Sequence, residues 1–294
     1  MADALTNLSG GGSDPIRQIL IGVAIVVLLY VSLGMAEYFY TTFKSMWKNR
    51  VLLFPDTYTS GTKMFTALQN PSNPSAITVY FSDNQRSGIE FSYSLFVNIS
   101  SATFANGNTN LYHIMHKGYS RPYPLMGPGI FCRGDRNTIR IYMNSFDSWN
   151  NYTEIDNIPV DKWFHLVVSC KGNTLFAYIN GNLKQKLGLS NSTPPYQNYG
   201  NVYLFSTRKM VIQSSLPSLI NDANPSASTL VFDGTAIGMA SSVFYFGYAL
   251  SYSEIQALMN AGPSPTMNSS SVGQLSMSPY LSDTWWSNNA TVQS

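Results

Sequence analysis

"FHLVVSCKGNTLFAYINGNLKQKL", residues 164–187, holds two apolar runs that alternate at period two, broken by the turn pairs Gly172-Asn173 and Asn180-Gly181. In an extended chain Phe164, Leu166, Val168 and Cys170 share one face, and Trp163, His165, Val167 and Ser169 share the other. Both faces are at least partly apolar, which predicts a strand packed between two layers. Gly-Asn and Asn-Gly accept the positive φ of tight hairpins, so the stretch reads as an antiparallel ribbon. The segments around it repeat the pattern. "AITVYF" (76–81), "GIEFSYSLFVNI" (88–99), "LYHIMHKG" (111–118), "GIFCR" (129–133), "TIRIYMN" (138–144), "NVYLFS" (201–206), "KMVIQ" (209–213), "TLVF" (229–232) and "SVFYFGYAL" (242–250) are short β-branched or aromatic runs between turn residues, with no helical pattern between them. Such spacing predicts an antiparallel β-sandwich or barrel. One exception, "SYSEIQALMNAG" (251–262), has a Ser cap, an acidic first turn, an apolar stripe of Ile255, Leu258 and Met259, and Gly262-Pro263 as a stop, and predicts a short helix.

The 294 residues are 44% hydrophobic, enough for a sizeable core, but only 11% charged, with a net charge of +2 and no basic run interleaved with aromatics. A nucleic-acid partner is therefore not expected. Two cysteines, Cys132 and Cys170, rule out a disulfide framework and read as buried thiols. No zinc-type Cys/His spacing occurs, and no metal or cofactor is expected.

Between Arg17 and Glu37 no charge interrupts "QILIGVAIVVLLYVSLGMA" (18–36), which at about 1.5 Å per residue spans a hydrocarbon core. Ile19, Ile21, Val23, Ile25, Val26, Leu28, Leu29, Val31 and Leu33 form the expected membrane anchor. A cleaved signal peptide has a shorter apolar stretch, about 7–15 residues, ending in small residues. Here the run passes into a flank of Tyr38, Tyr40, Lys44, Trp47, Lys48 and Arg50, an aromatic and basic interface belt. Three basic residues follow the helix and one, Arg17, precedes it, so the C-terminal domain is expected on the cytosolic side. Six N-x-S/T sequons, at Asn7, Asn98, Asn151, Asn191, Asn268 and Asn289, match what the Asn, Ser and Thr content yields by chance and do not set topology.

The chain divides into a flexible tail (1–14), a transmembrane helix with its flank (15–49), a Pro- and Asn-punctuated connector (50–75), a β-sandwich (76–262) and a low-complexity tail (263–294). The sandwich resembles laminin-G-like, concanavalin A-like jelly-roll domains. "DKWFHLVVSCKGNTLFAYINGNL" (161–183) is similar to that family's central hairpin, "GIEFSYSLFVNI" with "HIMHKG" to its early strand pair, and "GTAIGMASSVFYFGYALSYSEIQALMNAG" (234–262) to its closing strand and helix. The likeness covers about two thirds of the chain. The Trp often found in the early strand is replaced near Leu95-Phe96, and Ala240-Ser241-Ser242 stands where an acidic pair is common, so no calcium site carries over.

This scaffold also hosts glycoside hydrolases, which place two carboxylates about 5 Å apart on one strand face. Glu154 and Asp156 begin such a spacing in "EIDNIPV", but Ile158 and Pro159 replace the third carboxylate, and both acids read as loop residues. His165 reads as a packed histidine, His113 and His116 lack a third ligand, and Arg133-Gly134-Asp135 reads as a hairpin turn. No enzyme is expected. Tyr280, Trp285 and Trp286 in the polar C-terminal tail are candidate partner contacts. Two functions follow: a non-catalytic, membrane-anchored structural module docking on protein partners beside the bilayer, or a membrane-anchored lectin-like module that binds carbohydrate by aromatic stacking and Asn/Asp hydrogen bonds from loops at the sandwich edge. The plan of short tail, single helix and jelly roll with little charge is similar to membrane-anchored minor capsid proteins of large DNA viruses, which would place the chain between a virion's inner membrane and its capsid lattice.

Overall fold

The computed structural model describes residues 15–48, 50–82, 84–85, 88–189, 194–213 and 229–268. They form two units, the N-terminal helix and everything from Asn49 onward.

Helix α1 (Pro15–Lys48) begins at a proline, whose missing N–H costs nothing in a first turn. Its stretch Gln18–Phe39 has mean hydropathy 2.7 and buries none of its side chains. By length and composition it is a membrane span or a signal sequence, and it is the one helix among the described residues that meets that description.

The second unit is a mostly antiparallel sandwich, in which β14 (Thr229–Thr235) and β5 (Leu111–Gly118) pair in parallel. One sheet runs in the order β1 (Arg50–Thr59), β15 (Gly238–Phe246), β4 (Gly88–Ile99), β9 (Trp163–Lys171), β10 (Thr174–Ile179), β11 (Asn182–Gly188), with β3 (Asn84–Gln85) on β4. The other runs β13 (Lys209–Gln213), β14 (Thr229–Thr235), β5 (Leu111–Gly118), β6 (Met126–Arg133), β7 (Thr138–Met143), β8 (Asn151–Asp156), and β12 (Asn201–Leu204) pairs with both β2 (Phe65–Ala67) and β5. The core lies between the sheets. Phe164, Leu166, Val168 and Cys170 point into it together with Leu95, Val97, Ile114, Ile130, Ile139 and Ile141. The opposite face of β9 is covered by helix α2 (Tyr252–Ala261), whose Ile255 packs with Val167, Phe246 and Leu250. The central strand is thus apolar on both faces because it has a layer on each. Ser251 caps α2 in a capping box with Glu254.

The two turns of the opening ribbon differ. Gly172 alone has positive φ (57°), which suits the first central position of a II′ turn, whereas Asn180 (48°) and Gly181 (75°) are both positive, as a I′ turn requires. A side chain on Gly181 would also place its Cβ 2.0 Å from Nε2 of Gln256.

Four expectations are corrected. The supposed connector after residue 50 contains β1 and β2. Pro55 hides β1 because it breaks the alternation, and it is tolerated because β1 is an edge strand with register shifts between Leu52 and Thr57. "AITVYF" forms no strand. The Gln69 side chain bonds the backbone there, Nε2 donating to Ile77 O and Oε1 accepting from Val79 N, so a single amide replaces a ladder. Glu154 and Asp156 lie on the edge strand β8, not in a loop. Arg50, expected only in the flank of the helix, also opens β1, with its guanidinium 4.4 Å from the Phe244 ring.

Candidate functional site

The carboxylates and histidines singled out in the sequence lie on or near the outer faces of the sheets. Glu154 accepts from Arg133 (3.1 Å) and Arg140 (2.8 Å) through Oε1 and from Arg136 (2.5 Å) through Oε2. Burial works to raise its carboxyl, but Arg140 and Arg133 outweigh that and hold it below the ordinary range. Arg133 also donates twice to Asp135, at 2.9 and 2.8 Å. The Arg-Gly-Asp tripeptide therefore spends its charges on itself and on Glu154. Asp156 accepts from Thr138 across the β7–β8 pair.

His113 and His116 form a directed chain. Ser206 N donates to His113 Nδ1 (2.8 Å), which leaves the proton on Nε2 to donate to His116 Nδ1 (2.6 Å). The His116 proton then sits on Nε2 and donates to Tyr119 O (2.7 Å). Both rings are neutral in this arrangement, and burial pushes His113 well below 6.5 and His116 down to about 4. His165 Nε2 lies 2.7 Å from Ser94 Oγ, its ring lies 4.8 Å from that of Phe96, and burial lowers it to about 4. Its Nδ1 has no hydrogen-bond partner, so the third member of a hydrolytic triad is missing from this pair. A hollow of about 260 Å³ beside Ser94 is lined by Phe96, Ser242, Phe244 and Arg50.

The larger concavity, about 400 Å³, opens at the rim where the edge strands β8 and β11 of the two sheets come together. That volume is within the range of small-ligand sites. Buried Ile155 and Ile179 give it an apolar floor beside Pro159, and exposed Asp156, Asn157, Asn180, Asn182 and Lys184 surround it with a carboxylate, amides and an ammonium. The backbone fixes these groups. Asn157 and Asn180 hold positive φ, and Asn180 is locked by a reciprocal pair with His165, its N donating to His165 O and its Oδ1 accepting from His165 N. Asn182 Nδ2 donates to Asn180 O. Aromatic stacking with Asn and Asp hydrogen bonds was the expectation for carbohydrate binding; this lining supplies the Asn and Asp groups and no aromatic ring, and no motif marked the set, because it joins a strand end to a hairpin some 25 residues away. Among the described residues no group of three His, Cys, Asp or Glu is placed to hold a metal.

The nine anchor residues from Ile19 to Leu33 are all exposed on α1, as is Tyr38. The side chains of Tyr40, Lys44, Trp47 and Lys48, and all of Tyr280, Trp285 and Trp286, lie outside the described residues. Cys132 and Cys170 are buried free thiols.

The family model described as the concanavalin A-like lectin/glucanases superfamily, of laminin-G type, matches residues 73–224, more than half of the sequence. The chain belongs to the concanavalin A-like lectin/glucanases superfamily. This superfamily domain includes the opening ribbon and the rim concavity. Solved structures similar to it include the receptor binding domain of botulinum neurotoxin D (14% identity, 70% of this chain and 43% of that one, TM-score 0.43). Others are the binding domain of Paraclostridial mosquitocidal protein 1 (12%, 70% and 42%, 0.44) and the botulinum neurotoxin serotype D ligand binding domain in complex with N-acetylneuraminic acid (12%, 74% and 52%, 0.44). The chain spans less than half of the first of these, and at such identities the likeness is one of fold. No curated protein matches the sequence.

Proposed function

We propose that the chain is a membrane-anchored, non-catalytic, lectin-like module that takes up carbohydrate at the rim between β8 and β11. The observation that carries this is the concavity itself: sugar-sized, apolar at its floor, with Asp156, Asn157, Asn180 and Asn182 around it, the groups that pair with hydroxyls. The superfamily's name supports the ligand class. The non-catalytic reading is supported by the engagement of Glu154 with three arginines and by the partnerless Nδ1 of His165. The anchor reading is supported by the length and uniform exposure of the apolar part of α1, and the basic flank favours the cytosolic side for the sandwich.

A second reading is that the sandwich docks on a protein lattice beside the membrane, as a minor capsid protein joining an inner membrane to its shell. It draws support from β11, a sheet edge exposed along most of its length to which another strand can add. The test is a glycan array followed by calorimetry on the full-length chain in nanodiscs. Binding that weakens at least tenfold in Asp156→Asn and Asn182→Ala supports the rim site. Absence of binding to any glycan, with crosslinks from Lys184 and Lys186 to one abundant shell protein in native particles, would replace it with the lattice reading.

A further inference from the structure

The sandwich has two unlike ends. β1 starts at Arg50, two residues after α1 stops at Lys48. Arg50 pairs with Phe246, Phe246 with Ser92, and Glu90 with Lys171, so one end of this sheet carries the chain's junction with the helix. The other sheet contributes three loops to the same end. Ser82 joins them to it, its Oγ accepting from Glu90 N and its N donating to Gln197 Oε1. Tyr196 N donates to Asn144 O, and Lys117 Nζ to Gly200 O. Loops 119–125, 144–150 and 194–200, with residues 78–82, thus surround the tether end, and the rim concavity lies at the opposite end.

Exposed aromatics are distributed unevenly between the two. Tyr80 (69% exposed), Tyr119 (63%), Phe146 (63%), Trp149 (41%) and Tyr199 (82%) all lie on tether-end loops. Among the described residues of the sandwich the only other strongly exposed aromatic is Tyr252, at the start of α2. The rings form small platforms: Phe81 with Tyr199 at 4.3 Å, and Tyr196 with Phe146 at 5.0 Å and Trp149 at 6.2 Å. The opposite rim instead exposes Asp156, Asn157, Asp161, Lys162, Asn180 and Asn182. Aromatic rings facing water in five places are unfavourable, whereas Trp and Tyr are favoured at a bilayer's headgroup layer, where an apolar body and a polar tip are both satisfied.

Chain length sets the distance. From Phe39 to Arg50 there are 11 residues, about 16 Å at helical rise, and a headgroup layer is about 5–7 Å thick on each side. The tether end is thus held within roughly 10 Å of the headgroups. We propose that the loops carrying Tyr80, Tyr119, Phe146, Trp149 and Tyr199 form a foot seated in the headgroup region of the bilayer that α1 spans. The rim concavity then faces away from lipid. This inference rests on the reading of α1 as a retained anchor.

The test uses the full-length chain in phosphatidylcholine vesicles, with NBD on a single cysteine introduced as Phe146→Cys, Tyr119→Cys or, at the opposite end, Ile237→Cys. The native thiols do not interfere, because burial shields both and raises them above their ordinary range. Spin-labelled lipid is expected to quench at 146 and 119 at least twice as strongly as at 237, with a blue shift on addition of vesicles. Carbonate extraction separates the two ideas. If the chain stays in the membrane while all three sites quench alike, the foot is wrong and the anchor stands. If the chain is extracted, the anchor is wrong and the foot, which rests on it, falls with it. A blue shift at 146 that rises with protein concentration and ignores lipid assigns the surface to a second copy and overturns the foot.

Discussion

Lowering the pH from 7.5 to 5 destabilises the sandwich through its histidines. An imidazole whose folded value is depressed binds its proton in the unfolded chain first, so stability is complete above the unfolded value of 6.5 and is lost as pH falls from there toward the folded value. His116 and His165 each have a folded value of about 4. At pH 5 each then costs about 2 kcal/mol relative to pH 7.5, and the pair about 4 kcal/mol. His113 adds loss in the same direction, because a proton on its Nδ1 would face the Ser206 N–H that this nitrogen accepts from. Glu154 and Asp135 are held below their ordinary 4.5 and 3.8, so their contribution is lost only as pH falls further. Lys117, lowered by burial to about 7, adds a loss of about 1 kcal/mol between pH 7.5 and 6 and contributes no slope below that. At about 2–4 °C per kcal/mol for a domain of this size, the midpoint is expected to drop by roughly 8–16 °C. Near-UV circular dichroism of the full-length chain in detergent, melted at half-unit steps of pH, reads it. His165→Gln should remove its own share, about 2 kcal/mol of the loss. A midpoint that moves less than about 3 °C between pH 7.5 and 5 refutes the assignment of neutral buried imidazoles.

Two further outcomes follow from the same coordinates. Glu154→Gln removes the carboxylate that the nearly buried Arg140 donates to and leaves Arg133 its pair with Asp135, and is expected to cost about 2–4 kcal/mol, whereas Arg136→Gln, at a half-exposed partner of the same carboxylate, costs less than about 1 kcal/mol in chemical denaturation. Ellman's reagent should titrate no thiol in the native chain and two in guanidinium, and a native reading of one or more contradicts the burial of Cys132 and Cys170.

Where local chemistry and tertiary position agree, the sequence is legible. The ribbon 164–187 carries its own alternation and its own turn residues, and α2 carries its cap, its stripe and its stop. β1 fails that test because Pro55 interrupts it, and β8 because "NYTEID" is a polar edge strand whose arginine partners lie on β6, on β7 and in the turn between them. "AITVYF" has the composition of a strand and still forms none, since Gln69 takes its backbone bonds. The rim concavity depends on two edge strands from different sheets meeting. The aromatic foot draws on four separated segments. Neither follows from any spacing along the chain, and only the Asn180-Gly181 turn of the rim was visible in the sequence.

The place where the helix enters the sandwich determines how the domain bears a mechanical load. If a ligand holds the rim while the bilayer moves, the pull reaches Arg50 along the axis of β1. Seven register pairs, from Arg50 with Phe246 to Thr59 with Met239, join β1 to β15 by bonds that run across that axis. Force then acts on the ladder in shear, so its bonds share the strain and break together instead of unzipping one by one. The first edge strand thus acts as a clamp against a pull applied at Arg50 along β1.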